Sequence, residues 1–111
     1  MNSHKDQKQA TLLTELAAQY FLVESNKDSL ITVTRTEMED RGKRANILFT
    51  VLPTDKQDQA LEFALRRRND FRKFIMSKKI FGFAPRINFS LDYGERNRQR
   101  IDELSNEMRK V

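Results

Sequence analysis

The chain has 111 residues, with 21 Lys and Arg against 16 Asp and Glu, a formal net charge of +5, and neither Cys nor Trp. That length allows one modest core, and the lack of cysteine excludes disulfides, thiolate zinc sites and thiol catalysis. Apolar residues at 38% and charged residues at 33% fit a folded soluble chain, and no apolar run nears the ~20 residues that span a bilayer.

Met1 to Gln9 is polar and of mixed charge, so it has neither a signal-peptide core nor the acid-poor character of a transit peptide. The expected location is the cytoplasm. Leu12, Leu13, Leu16, Ala17, Tyr20 and Phe21 recur at three- and four-residue spacing, which predicts a first helix over 5–23. Ser25 to Ser29 break that pattern as a loop. Leu30 to Met38 alternates as a strand, with Ile31 and Val33 on one face and Thr32, Thr34 and Thr36 on the other. The same alternation places Arg35 with Ile31 and Val33, its stem packed and its tip snorkelling.

Glu39, Asp40, Arg41 and Gly42 form a turn, and Ala45 to Leu52 returns with Ile47, Phe49 and Val51 inward, so the two strands should pair as an antiparallel hairpin. Pro53 closes the second strand, and Thr54 with Gln57 has the spacing of a capping box for a helix through Ala60, Leu61, Ala64 and Leu65. The apolar register changes at Arg66–Arg68 and resumes at Phe71, Phe74 and Ile75. A break is therefore expected near Asn69 and Asp70, residue types that tolerate the left-handed conformation. Ile87, Phe89 and Leu91 alternate with Asn88 and Ser90 as a third strand, and Asp92 with Glu95 could cap a last helix carrying Ile101, Leu104 and Met108.

Charge is concentrated within this order. Arg66, Arg67, Arg68, Arg72, Lys73, Lys78, Lys79 and Arg86 face one acid, Asp70, so residues 66–86 carry +7 while the whole chain carries +5. A face kept only for solubility mixes signs, whereas this imbalance costs self-repulsion that a polyanion would offset. Lys43 and Arg44, with Arg41, flank the hairpin turn and extend the basic set, although edge charges that discourage strand aggregation explain them about equally well. Phe71, Phe74, Phe81 and Phe83 fall beside other apolar residues and are expected in the core rather than as stacking platforms.

Three stretches together resemble the bacterial ribosome-binding factor A family. They are Leu30-Ile31-Thr32-Val33-Thr34-Arg35, then Asp40-Arg41-Gly42-Lys43-Arg44-Ala45-Asn46-Ile47, then Pro85 to Asp92 running on to Arg100-Ile101-Asp102-Glu103-Leu104. The likeness covers roughly residues 5–105. Two family features are absent: the small-x-Gly ahead of Phe71 is Arg68-Asn69-Asp70 here, and no Asp-Pro-Arg follows the first helix.

The resemblance implies one α+β domain over 1–111 with the α-β-β-α-α-β topology of type II KH domains: a three-stranded sheet, helices on one face and a C-terminal helix. It implies a non-catalytic, monomeric factor that binds the small (30S) ribosomal subunit and its 16S rRNA during late maturation, with no cofactor, metal, membrane or small-molecule substrate. The expected RNA-binding residues are Arg66, Arg67, Arg68, Arg72, Lys73, Lys78, Lys79, Arg86, Lys43 and Arg44.

KH domains commonly grip single-stranded RNA through Gly-x-x-Gly. With Gly42, Gly82 and Gly94 as the only glycines, that loop is missing, and recognition should lean on backbone charge and RNA shape. Two other readings stay open: a KH-like binder of non-ribosomal RNA, and a basic module for an acidic protein. Catalysis has little support, because His4 is the only histidine and no Walker loop or paired-histidine spacing occurs.

Overall fold

A computed structural model describes residues 4–24, 29–79 and 82–94. In chain order these form α1 (His4–Glu24), β1 (Leu30–Glu39), β2 (Arg44–Leu52), a 3-10 turn (Thr54–Lys56), α2 (Gln57–Arg66), α3 (Arg68–Ser77) and β3 (Arg86–Leu91). The sheet order is β1-β2-β3, with β1 antiparallel and β3 parallel to β2. A tight turn suffices for the first pairing, whereas the parallel second pairing needs the α2–α3 crossover. This is the α-β-β-α-α-β connectivity expected of a type II KH-like α+β fold. The expected C-terminal helix, most of the loop after α1, and Phe81 lie outside the described residues.

The register places Ile31, Val33, Ala45, Ile47, Phe49, Val51, Ile87 and Phe89 on one face, where α1, α2 and α3 pack. Leu13, Leu16, Ala17, Tyr20 and Phe21 fill the α1 stripe, while Ala60 and Ala64 let α2 approach closely and Phe71 and Ile75 complete the core from α3. Phe21 meets Phe89 edge-on at 5.3 Å between centroids, and Phe71 meets both Phe89 at 5.7 Å and Tyr20 at 5.4 Å. Such edge contacts add about 0.5–1.5 kcal/mol each beyond burial.

The local chemistry departs from simple alternation in three places. In β1 the register shifts between Val33, opposite Phe49, and Arg35, opposite Leu48. This bulge at Thr34 reverses every later side chain. Arg35 therefore lies on the open face rather than with Ile31 and Val33, and Thr36 turns inward, where its hydroxyl meets that of Thr14 on α1 at 2.8 Å. Arg35 instead pairs with Glu37 at 3.3 Å and with Asp92 at 3.6 Å. Asp92 also accepts the Thr34 hydroxyl, so its carboxylate fastens the bulge to the end of β3.

The helix break is the second departure. It lies at Arg67 (φ −95°, ψ 6°), not at Asn69 and Asp70, which sit in the first turn of α3. Arg67 donates its N–H back to Ala64 and accepts that of Phe71, so one residue ends α2 and starts α3 without entering the left-handed region. Third, no side-chain bond caps the start of α2. The expected Thr54–Gln57 box is replaced by the 3-10 turn, in which Lys56 N–H reaches Pro53 O.

Candidate functional site

The ten basic residues expected to bind RNA fall into three groups. The first is the helix break. Arg66 ends α2, and Arg68 opens α3 with its Nε donating to the Leu65 carbonyl at 3.0 Å, one of the last-turn acceptors of α2. The Arg67 guanidinium lies 5.1 Å from the Phe63 ring centroid, an arrangement that holds a cation over a π face. The positions where many KH domains place a glycine loop are thus occupied by three consecutive arginines. Phosphate there would meet guanidinium groups rather than bare backbone amides.

The second group lies along α1 and the far end of α3. Lys73 and Lys78, with Gln19, Tyr20, Val23 and Asp70, line a groove of about 570 Å³. Lys78 Nζ stands 4.8 Å from the centroid of Phe74, which is only partly buried. Lys79 adopts φ 54° as α3 ends. Asp70, the one acid of the basic stretch, accepts the Tyr20 hydroxyl on Oδ2 and so ties α3 to α1. A ten-residue helix is about 15 Å long, so Lys78 and Lys79 lie roughly that far from the break and Lys73 little more than half as far.

The third group sits where β2 and β3 begin. Arg44 and Arg86 are register partners, both exposed, and Arg86 N–H donates to Lys43 O at 2.9 Å. Arg72 reaches toward this end from α3, but its guanidinium is occupied within the fold. Nη2 donates to Ala84 O at 3.1 Å and Nε to Pro85 O at 3.4 Å. Arg72 is therefore a clamp on the segment that leads into β3, with less of its surface left for a ligand.

Among the described residues, Arg66, Arg68, Arg72, Lys73, Lys78, Lys79, Arg86, Lys43 and Arg44 form no ion pair. The ion pairs between described residues belong to Arg35, outside the expected site. Positive charge thus outweighs negative along the break, the α3 flank and one end of the sheet, where Asp70 and Glu39 are the neighbouring acids among the described residues and neither is ion-paired with these cations. Such a surface attracts polyanions and gains by releasing their counterions.

One aromatic departs from its expected role. Phe71 is fully buried, but Phe83 is 70% exposed. Residue order gave a weak signal for this: Phe83 lies between Gly82 and Ala84-Pro85, outside any helical or alternating pattern. Lys5, also missed, lines the same groove as Phe83 together with Arg41 of the hairpin turn; the groove forms where the α1 start, that turn and the 82–83 segment converge.

No protein-family model matches the chain. Two curated proteins named ribosome-binding factor A are similar to it over 93% of its length. The one from Rickettsia felis is 28% identical with 91% of that protein covered, and the one from Rickettsia typhi is 29% identical with 86% covered. The crystal structure of ribosome-binding factor A from Thermus thermophilus superposes with a TM-score of 0.65 at 14% identity, covering 74% of this chain and 90% of that one. The solution structure of a Thermotoga maritima protein, provisionally identified as a ribosome binding factor A, gives 0.68 at 22% identity, covering 81% and 90%. These two structures match the fold described above.

Proposed function

This chain is a homologue of the ribosome-binding factor A proteins across nearly its whole length, and from that premise we propose that it binds the small ribosomal subunit. Its part there is that of a non-catalytic, monomeric assembly factor of the cytoplasm, held through 16S rRNA late in maturation. The observation that carries this reading is the set of cations on fixed elements that form no ion pair among the described residues, Arg66 and Arg68 at the break and Arg44 and Arg86 at the sheet end. Counterion release supplies sequence-independent affinity, and the spacing of the groups along α3 and the sheet favours one RNA shape over others. An arrangement of immature rRNA that fits this surface is stabilised by its differential affinity for the factor.

Co-sedimentation on sucrose gradients tests the proposal. The chain is expected to travel with free small subunits, and a combined Arg66→Glu and Arg68→Glu variant to stay at the top of the gradient with its fold retained by circular dichroism. A variant that still co-sediments, with unchanged salt dependence, would place the interface elsewhere. Displacement by an acidic protein but not by bulk RNA would point to a protein partner instead.

A further inference from the structure

Beside the basic surface lies a groove that its charge alone does not explain. It has a volume of about 480 Å³, and its lining includes Lys5, Asp6 and Gln9 of α1, Arg41 and Lys43 of the hairpin turn, and Phe83. A phenylalanine that is 70% exposed is unusual in itself, because a ring of that size contributes most to stability when it is buried. Phe83 is also presented from an anchored segment. Arg72 bonds to the carbonyls of Ala84 and Pro85, the two residues that follow it, and Arg86 N–H bonds to Lys43 O on the opposite wall. A Cβ at Gly82, the residue before it, would meet nothing within 4 Å, so the chain entering Phe83 is open at that position.

The opposite wall is equally fixed. Asp40, Arg41 and Gly42 all take positive φ, and the turn is closed by Gly42 N–H to Glu39 O and Lys43 N–H to Asp40 O, each 3.1 Å. A Cβ on Gly42 would come within 3.4 Å of Asp6 Oδ1 and 3.6 Å of Gln9 Oε1, so the turn lies close against the first turns of α1. The groove thus combines an exposed aromatic ring, three cations against the one carboxylate of Asp6, and the amide of Gln9.

We propose that this groove receives one unpaired nucleotide of the bound RNA, its base stacked on Phe83 and its flanking phosphates held by Arg41, Lys43 and Lys5. The idea rests on the RNA-binding reading above and deepens it. Backbone charge does not distinguish paired from unpaired RNA, whereas a base reaches an aromatic ring only once it has left its helix. Stacking of this kind tolerates any base and contributes without a hydrogen-bond code. The groove would therefore select for an unpaired position within the rRNA rather than for a sequence.

The chain has no tryptophan, so Phe83→Trp in the full chain introduces a single reporter at the ring itself. Its emission should be quenched when a short unpaired RNA oligonucleotide binds, and stay near its free value with a blunt duplex of equal length, binding in both cases being followed by anisotropy of end-labelled RNA. Phe83→Ala should weaken unpaired RNA binding by roughly 5- to 100-fold. The dependence on salt should not change, because no charge is removed. Emission unchanged at saturating unpaired RNA, equal quenching by the duplex, or unaltered affinity of Phe83→Ala would each overturn the proposal. If Arg66→Glu with Arg68→Glu abolishes binding while Phe83→Ala leaves the affinity unaltered, only the groove assignment fails. If neither RNA binds the unaltered chain, the RNA reading falls and takes the groove with it.

Discussion

Phe71 and Phe83 are the same residue type twelve positions apart, and their surroundings give them opposite work. Phe71 touches Tyr20, Phe74 and Phe89 and is fully buried, so Phe71→Ala should cost about 3–5 kcal/mol in urea unfolding. Phe83→Ala should change the same measurement by less than about 0.5 kcal/mol, as exposed positions do. Phe74 lies between them, one side on the core and the other under Lys78, so its truncation should cost less than that of Phe71. Arg72 and Arg68 divide in the same manner although they share one flank of α3 four residues apart. Arg72→Ala removes two bonds to backbone carbonyls and should lower the thermal midpoint by the equivalent of about 1–3 kcal/mol. Its effect on the salt dependence of RNA affinity should be smaller than that of Arg68→Ala, measured side by side.

Between elements, α1 is tied to α3 by a polar contact as well as by the packing of Tyr20 on Phe71 and Phe74. The Tyr20 ring is in the core, and its hydroxyl donates to Asp70. Tyr20→Phe keeps the ring and removes the bond, and should destabilise by about 1.5–3 kcal/mol because the acceptor is charged. Periodicity alone gave the elements themselves: the α1 stripe, three alternating strands, and a turn marked by Asp40 and Gly42. It did not give the bulge at Thr34, since a threonine in a threonine-rich strand carries no glycine or proline to mark one, yet that single extra residue exchanges the faces of Arg35 and Thr36. The break was misplaced for a similar reason. Asn69 and Asp70 suggested a left-handed turn, but Arg67 in the bridge region redirects the chain, and its residue type does not announce that role. At the site, the residue types were legible in the sequence. Their grouping was not, because the commitment of Arg72 to Ala84 and Pro85 and the emergence of Phe83 depend on how the segment before β3 is tied back.

At the scale of the molecule, the arginines at the sheet end place function and stability in opposition. Arg86 lies on an edge strand whose neighbour in register is Arg44, so two positive charges stand side by side on the open face. Like charges across a sheet repel by a few tenths to about 1 kcal/mol, and Arg44 has Glu39 on its other side whereas Arg86 has no such neighbour among the described residues. Arg86→Thr should therefore leave urea stability unchanged or raise it by about 0.2–1 kcal/mol. The same change should weaken RNA binding and reduce the slope of log affinity against log salt by about 0.7–0.9, the share of one phosphate contact. Arg66→Ala should reduce the slope by a similar amount, and the two together by the sum, if one RNA footprint spans both the break and the sheet end. A double variant that loses no more slope than Arg66→Ala alone would confine the footprint to the helix break and leave the sheet-end arginines as guards of an open strand edge.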